Sequence, residues 1–268
     1  MTKKKLLLVD GNSVAFRAFF ALHNSLERFK NKNGLHTNAI YAFNNMFENV
    51  MQKEMPTHVL VAFDAGKTTF RTEFYSEYKA GRSKTPGEFK EQMPYIRELL
   101  EVKYYELPNY EADDIIGTLA NKVDKDEFDV VVLSGDRDLT QLATDTVKVD
   151  ITVKGVSDIE SYTPEHIAEK YDGLTPKQII DMKGLAGDTS DNIPGVTKIG
   201  EKTAIKLLKQ YGSVEGVYEN IDEMKKSKMK ENLINDKEQA FLSKRLATIE
   251  VNAPVEVNVE DLAYEGKN

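Results

Sequence analysis

The 268-residue chain predicts an α/β fold, a mainly parallel sheet covered by helices on both faces and followed by a helical subdomain. Three observations lead there. Short apolar runs alternate with helical patterns through the first half of the chain. Three of those runs, Lys5–Asp10 (KLLLVD), His58–Asp64 (HVLVAFD) and Asp129–Ser134 (DVVVLS), are continuous rather than alternating, as strands buried on both faces are. From about Thr163 onward strong strand signals disappear and helices dominate.

Taken in order, the strand Lys5–Asp10 leads into a helix Val14–Leu22 for which Asn12 is the candidate cap. Helical periodicity returns over Asn38–Met51. After the second strand, Phe89–Glu101 reads as a helix, Val102–Leu107 as a strand and Ala112–Val123 as a helix. Val147–Val153 alternates after the third clear strand and reads as an edge strand. Thr163-Pro164 and Thr175-Pro176 are helix starts with Pro at the first helical position. Gly200 opens a helix through Gln210, and Gly212 closes it. The stretch 251–268 carries little pattern. These signals divide the chain into 1–174 and 175–268. No Gly/Ser linker separates the two parts, which implies a shared interface.

Composition narrows the chemistry. There is no Cys, so a disulfide framework, thiolate zinc and Cys catalysis are excluded. Four scattered His form no HExxH pattern. No apolar run reaches membrane-spanning length and no targeting segment is visible, so a cytoplasmic location is expected. The net charge of −8 argues against nucleic acid only if the acids are evenly spread. They are not. Asp10, Asp64, Glu111, Asp113, Asp114, Asp136, Asp138, Asp188 and Asp191 fall in compact groups, and the remaining acids and bases nearly balance.

Asp10, Asp64 and Asp136 stand at or just past the carboxyl ends of three predicted strands, where open parallel sheets place their functional crevice. Asp138 follows closely, and Glu111-Ala112-Asp113-Asp114 opens a helix that returns to the sheet. Taken singly, Asp113 or Asp114 reads as a helix cap. Convergence of the set favours a cation site, and an all-oxygen donor set suits Mg²⁺ or Mn²⁺. Two further stretches carry chemistry. As a helix, 67–84 would place Lys67, Arg71, Tyr75, Lys79 and Arg82 on one stripe beside Phe70, Phe74 and Tyr78. That pattern fits phosphate tracking and base stacking, and equally an amphipathic helix with a solvated face. Residues 194–204 hold a glycine hairpin in which Gly195 and Gly200 bracket a turn. Lys198, Lys202, Lys206 and Lys209 share a face beyond it, a geometry for gripping the DNA backbone. Its plainer reading is a helix–turn–helix with solubilising lysines.

Together LLLVDGNSVAFRAFFAL (6–22), VAFDAGKTTFRTE (61–73), YKAGR (78–82), YEADDIIGTLA (110–120), SGDRDLTQL (134–142), MKGLAGDTSDNIPGV (182–196) and GEKTAIKLL (200–208) resemble the 5′-nuclease domain of bacterial DNA polymerase I. That domain belongs to the flap endonuclease superfamily, and the chain is most similar to versions from low-GC Gram-positive bacteria. The resemblance covers essentially the whole chain. It implies a PIN-like nuclease domain followed by a helix–three-turn–helix clamp of the helix-hairpin-helix type. It implies 5′→3′ exonuclease and 5′-flap endonuclease activity on DNA flaps, nicks and junctions, in primer removal and repair, by a monomer in the bacterial nucleoid. Two divalent metal positions follow, one around Asp10, Asp64, Glu111, Asp113 and Asp114, the other around Asp136, Asp138, Asp188 and Asp191. Asp10, Asp113, Lys79 and Arg82 are the expected catalytic residues. Arg17, Arg71, Tyr75, Tyr78, Lys198, Lys202, Lys206, Gly195 and Gly200 are expected at DNA. Residues 67–90 would form a helical arch, and the glycine hairpin would hold K⁺. The resemblance leaves open a fragment of the polymerase or a stand-alone nuclease. The link 99–104 is shorter than the family's usual one, which bears on the placement of Glu111. It supports the alternative of a junction-binding module of the same fold with impaired catalysis.

Overall fold

Leu6, Leu7, Leu8 and Val9 expose no surface, as a central strand covered on both faces requires. The computed structural model describes residues 1–154 and 158–266. The elements run β1 (Lys4–Asp10), α1 (Gly11–Ala21), α2 (Asn38–Glu54), β2 (His58–Phe63), α3 (Phe70–Phe74), α4 (Gly87–Lys90), α5 (Met93–Leu99), β3 (Tyr104–Glu106), α6 (Ala112–Lys122), β4 (Phe128–Ser134), β5 (Val147–Thr152) and β6 (Ile159–Tyr162). Helices follow: α7 (Pro164–Lys170), α8 (Gln178–Ala186), α9 (Glu201–Tyr211), α10 (Val214–Glu219), α11 (Lys228–Asn235) and α12 (Lys237–Ala247). The sheet order is β3-β2-β1-β4-β5-β6, parallel except for the antiparallel β5–β6 pair. From β1 the chain adds strands outward through β2 to β3, then returns to add β4 on the other side. The order therefore reverses between β1 and β4, where such sheets open a crevice.

Period-two alternation sorts the strands' side chains into two cores. Leu7 and Val9 join Val61, Phe63, Val131 and Leu133 against Ala15, Phe19, Phe43 and Met46 of α1 and α2. Leu6 and Leu8 join Leu60, Val130 and Val132 against Ile115, Ile116 and Leu119 of α6. This second core runs without a break through Tyr162, Ile167 and Leu174 into Ile179, Leu185, Leu207 and Val217. The helical part thus extends the same apolar core, with only a small separate cluster around Tyr78, Ile193, Leu246 and Ala247, which is why no linker is needed.

Several expectations change. Asp10, not Asn12, caps α1, its carboxylate accepting from Ser13 N at 3.4 Å, while Asn12 accepts from Asp64 N at 2.8 Å. β5 is internal; the polar, four-residue β6, too short to signal itself, takes the edge. The predicted helix over 89–101 breaks into α4 and α5 around Gln92. Gln92 is wholly buried, and its amide accepts from Ala39 N at 2.8 Å and donates to Asn38 at 2.8 Å, closing the start of α2. α8 starts two residues later than Thr175-Pro176 suggests. Among the described residues no helix is long and apolar enough to cross a membrane. The last two residues of the unpatterned stretch 251–268 lie outside the described residues.

The largest departure concerns 67–90. No arch and no continuous stripe form. α3 has only five residues, capped by Thr69 and Thr72, and the chain then turns through 76–81 down onto the loop after α8. Lys79 N donates to Asp191 O at 2.8 Å, and Asn192 Nδ2 donates to Glu77 O at 2.8 Å. Arg71 explains why. It is only 2% exposed, and each N–H of its guanidinium has an acceptor. It binds Glu111 at 2.6 Å, both oxygens of Asp114 at 2.8 Å, Leu246 O at 3.1 Å and Thr248 O at 2.7 Å. One side chain pins α3 to the start of α6 and to the end of α12.

The loop after α8 is equally constrained. Asp188 and Ile193 exchange backbone hydrogen bonds at 2.9 and 2.8 Å, closing a tight loop that presents Asp188 and Asp191 to the sheet. Gly187 and Gly195, both at positive φ, stack where the loop ends meet; a Cβ on Gly195 would lie 2.3 Å from Gly187 N.

Two outcomes follow, both readable by urea denaturation. Gly195→Ala should destabilise the chain by more than the ~1–2 kcal/mol of a left-handed alanine alone, because it also collides with backbone; Gly212→Ala, at φ +86° in open space, should cost only about that amount. Arg71→Met should cost roughly 3–5 kcal/mol, the range for breaking a buried ion pair from one side. A loss below about 1 kcal/mol would show that the guanidinium contacts do not hold the two ends together.

Candidate metal and nucleic-acid site

At the reversal between β1 and β4, Asp10 ends its strand and is 5% exposed. Ser134, at the end of β4, donates its hydroxyl to Asp10 at 2.8 Å, and its oxygen accepts from Asp136 N at 2.9 Å. Ser13 ties the same corner, accepting from Gly135 N at 2.9 Å. Asp64 follows β2 and accepts from Ala112 N, the first amide of α6, at 2.7 Å. Glu111 caps α6, and Asp113 sits in its first turn. Asp136 caps the 3₁₀ turn Arg137–Leu142, accepting from Asp138 N at 2.9 Å. The strand ends therefore bring Asp10, Asp64, Glu111, Asp113 and Asp136 to one edge.

The second group arrives from the helical part. Asp138, Asp188 and Asp191 each bring a carboxylate oxygen within 4.8 Å of the others. No sequence pattern placed Asp188 and Asp191 at the sheet; the loop closed at Gly187 and Gly195 does.

Electrostatics separate the acids. Burial, reinforced by the Asp64 charge, pushes Asp10 up to about 7. Burial likewise raises Asp64, Asp113 and Asp136 above the usual carboxylate range, with neighbouring acids adding to it. Burial also pushes Glu111 up, but Lys79 and Arg71 outweigh it and hold the carboxyl low. Asp188 behaves the same way: Lys183 overcomes burial and brings it to about 2. The crevice thus holds some carboxylates already matched by cations and others whose charge is uncompensated.

Four basic groups share this crevice. Lys79, in a left-handed conformation (φ 59°), pairs with Glu111. Arg82 pairs with Asp191 and donates to Ser190 O at 3.2 Å. Arg71 lies beneath. Lys183, which sequence reasoning missed, donates to Asp138 and to Asp188 at 2.8 Å. Its only sequence signal is its place inside MKGLAGDTSDN, five residues before Asp188.

Several expected roles are corrected. Asp114 is fully buried, and each of its oxygens accepts two hydrogen bonds, from Arg71 with Glu250 N and from Arg71 with Glu111 N, leaving no lone pair for a metal. Arg71 does not face DNA, because those acids enclose it. Tyr78 is 8% exposed and directs its hydroxyl to Glu111 at 3.3 Å, so its ring is no stacking platform. Tyr75 is half-buried against the cluster of Tyr78, Ile193, Leu246 and Ala247. Gly195 is also internal: its N–H goes to Ser243 at 2.9 Å and its carbonyl accepts from Gln239 at 2.7 Å.

Other expected DNA contacts lie at the surface. Gly200 is the exposed cap residue of α9. Lys198, Lys202 and Lys206 are exposed, and Lys202, Lys206 and Lys209 line a shallow cavity of about 460 Å³ with Asp172. Arg17 is half-buried and makes two long bonds, to Gly135 O at 3.3 Å and Val153 O at 3.5 Å. The short link does not displace Glu111: α5 ends at Leu99, β3 pairs with β2 from Tyr104, and Glu111 still reaches the crevice.

Comparison with known proteins agrees with this architecture. A family described as 5′-3′ exonuclease, N-terminal resolvase-like domain, matches residues 5–172, and one described as 5′-3′ exonuclease, C-terminal SAM fold, matches residues 174–268. DNA polymerase I of Streptococcus pneumoniae is 62% identical over 99% of this chain and 31% of its own length. DNA polymerase I of Bacillus subtilis is 61% identical over 99% and 30%. The chain therefore spans about a third of the length of the curated relatives it matches. In fold it is similar to the flap endonuclease of bacteriophage T5 solved with DNA and metal ions (TM-score 0.75, 23% identity, 93% of this chain and 90% of that one). It is also similar to the catalytic core of Rad2 solved with a DNA substrate (TM-score 0.53, 14% identity, 97% and 84%). With both halves matched, the chain belongs to the 5′-3′ exonuclease family.

Proposed function

We propose that the chain is a structure-selective 5′-nuclease that hydrolyses DNA phosphodiesters with divalent cations, as a 5′→3′ exonuclease and 5′-flap endonuclease in primer removal and repair. The observation that carries this is the convergence of carboxylates from β1, β2, β4 and α6 with those of the 188–191 loop. Asp10 is buried, Asp64, Asp113 and Asp136 are half-buried, and the protein's own cations leave the charge of all four uncompensated. Oxygen donors alone suit Mg²⁺ or Mn²⁺. Asp10, Asp64, Glu111 and Asp113 would hold one cation, and Asp136, Asp138, Asp188 and Asp191 a second. Bound there, divalent cations supply an activated water and neutralise the phosphodiester.

The chain's own residues do the rest. Lys79 and Arg82 stand on the acids where the scissile phosphate would meet them, and their charge suits a transition state richer in negative charge than the substrate. The N-terminus of α9 with Lys198, Lys202 and Lys206 is suited to hold duplex backbone, and Arg17 a phosphate nearer the crevice. A stacked duplex cannot deliver its phosphate into a recessed crevice, and unpairing costs a few kcal/mol, least at a flap or junction. Flaps, nicks and junctions with free 5′ strands are therefore the substrates we propose. The phage nuclease solved with DNA and metal ions, and the polymerase relatives, support this reading and a parent chain that also carries a polymerase. A K⁺ held by carbonyls of the glycine hairpin is part of the same proposal: Gly195 O and Val196 O each accept one hydrogen bond, from Gln239 and from Ile199 N, which leaves each a second lone pair. The impaired-module alternative loses its basis now that Glu111 lies in the crevice.

Incubating a 5′-labelled flap and its intact duplex in Mg²⁺ or EDTA tests the proposal. Mg²⁺-dependent release of a short product from the flap alone is expected. Asp10→Ala and Asp113→Ala should abolish it while leaving junction binding intact; cleavage retained at equal metal would overturn the assignment. Replacing Lys202 and Lys206 together by Ala should weaken binding to every sequence alike and flatten the dependence of log K on log salt by about 2. An unchanged slope would remove α9 from the interface.

A further inference from the structure

Lys183 lies in the last turn of α8, with its side chain 17% exposed. Its ammonium donates at once to Asp138, from the 3₁₀ turn after β4, and to Asp188, from the loop after α8. These are two of the three carboxylates whose oxygens lie within 4.8 Å of one another. The lysine thus supplies positive charge to the cluster proposed to hold a divalent cation. Its backbone cannot withdraw. A Cβ on the next residue, Gly184, would already lie 3.0 Å from Lys244 Cβ and 3.3 Å from Ala240 O, so α8 is pressed against α12. Only the side chain can leave, by rotating about its own bonds.

We propose that Lys183 is the resident counter-ion of the Asp138–Asp188–Asp191 cluster, holding Asp138 and Asp188 together in the metal-free chain while Arg82 holds Asp191, and yielding to the divalent cation that displaces it. The inference rests on the divalent-metal reading above. An ammonium offers one charge where Mg²⁺ or Mn²⁺ offers two, so the exchange favours the metal while the lysine limits its affinity. Arg82 plays a lesser part: it touches only Asp191 of the three and comes from a different segment.

The test compares the 268-residue chain with its Lys183→Met, Lys183→Gln and Lys183→Arg variants. Free Mn²⁺ is counted by electron paramagnetic resonance during titration, and thermal unfolding is followed in EDTA. Loss of the charge in Met and Gln should lower Tm in EDTA and tighten one Mn²⁺ site by roughly tenfold, the scale of one adjacent unit charge removed. Arg should stay near the parent in both. Gln, polar and of intermediate length, keeps the test available should Met fold poorly. Mn²⁺ affinity that is unchanged or weaker in Met and Gln would overturn the proposal. Asp188→Asn identifies the affected site by losing it. A parent chain that binds no Mn²⁺ would sink the metal reading and this inference with it, whereas a bound but insensitive site sinks the inference alone.

Discussion

A guanidinium with no access to water is costly unless every donor is met. Arg71 meets all of its own, and the rest of the molecule is arranged around that fact. Its acceptors come from the capping residue of α6, from the first turn of the same helix, and from two carbonyls at the end of α12. The contact therefore joins the first half of the chain to its last long helix at the floor of the crevice. It also decides which acids remain for chemistry. Asp114 is consumed as a structural partner, Glu111 is shared between Arg71 and Lys79, and Asp113, in the same turn, makes no ion pair among the described residues.

The crevice is consequently a charge-deficient site built on a charge-satisfied floor. Helix α6 contributes to both levels because successive residues of its first turn point in different directions. The sheet contributes through its order, since the reversal between β1 and β4 leaves a gap at their carboxyl ends that Asp10 and Asp136 border. The loop from Gly187 to Gly195 closes the open side. Its two glycines permit an approach of backbone to backbone that no side chain would allow, and that approach turns two acids from the helical part toward acids from the sheet.

The segment 67–90 shows how a pattern can mislead. Lys67, Arg71, Tyr75, Lys79 and Arg82 have a spacing that suits a helix face, yet they end in different environments: Lys67 in solvent, Arg71 in the floor, Tyr75 against the small cluster of Tyr78, Ile193, Leu246 and Ala247, Lys79 and Arg82 on the acids. Spacing describes a face only where a helix exists. Here the pull of buried acids on Arg71, and the left-handed turn at Lys79, outweigh helical propensity over a stretch containing Gly81 and Pro86.

The sequence by itself determined the strands β1, β2 and β4, most helices, and the nine acids as a group, because continuous apolar runs, capping residues and clustered carboxylates are local signals. It also carried the family, through motifs kept in order along the whole chain. Only the tertiary structure decided which acid is floor and which is site, that Arg71 and Tyr78 face inward, that Lys183 belongs to the crevice, and that β6 rather than β5 forms the edge. Those outcomes depend on which groups from distant parts of the chain share a buried volume. The cost of leaving a charge or a hydrogen-bond donor unpaired there is set by its neighbours in space, and residue spacing along the chain does not encode them.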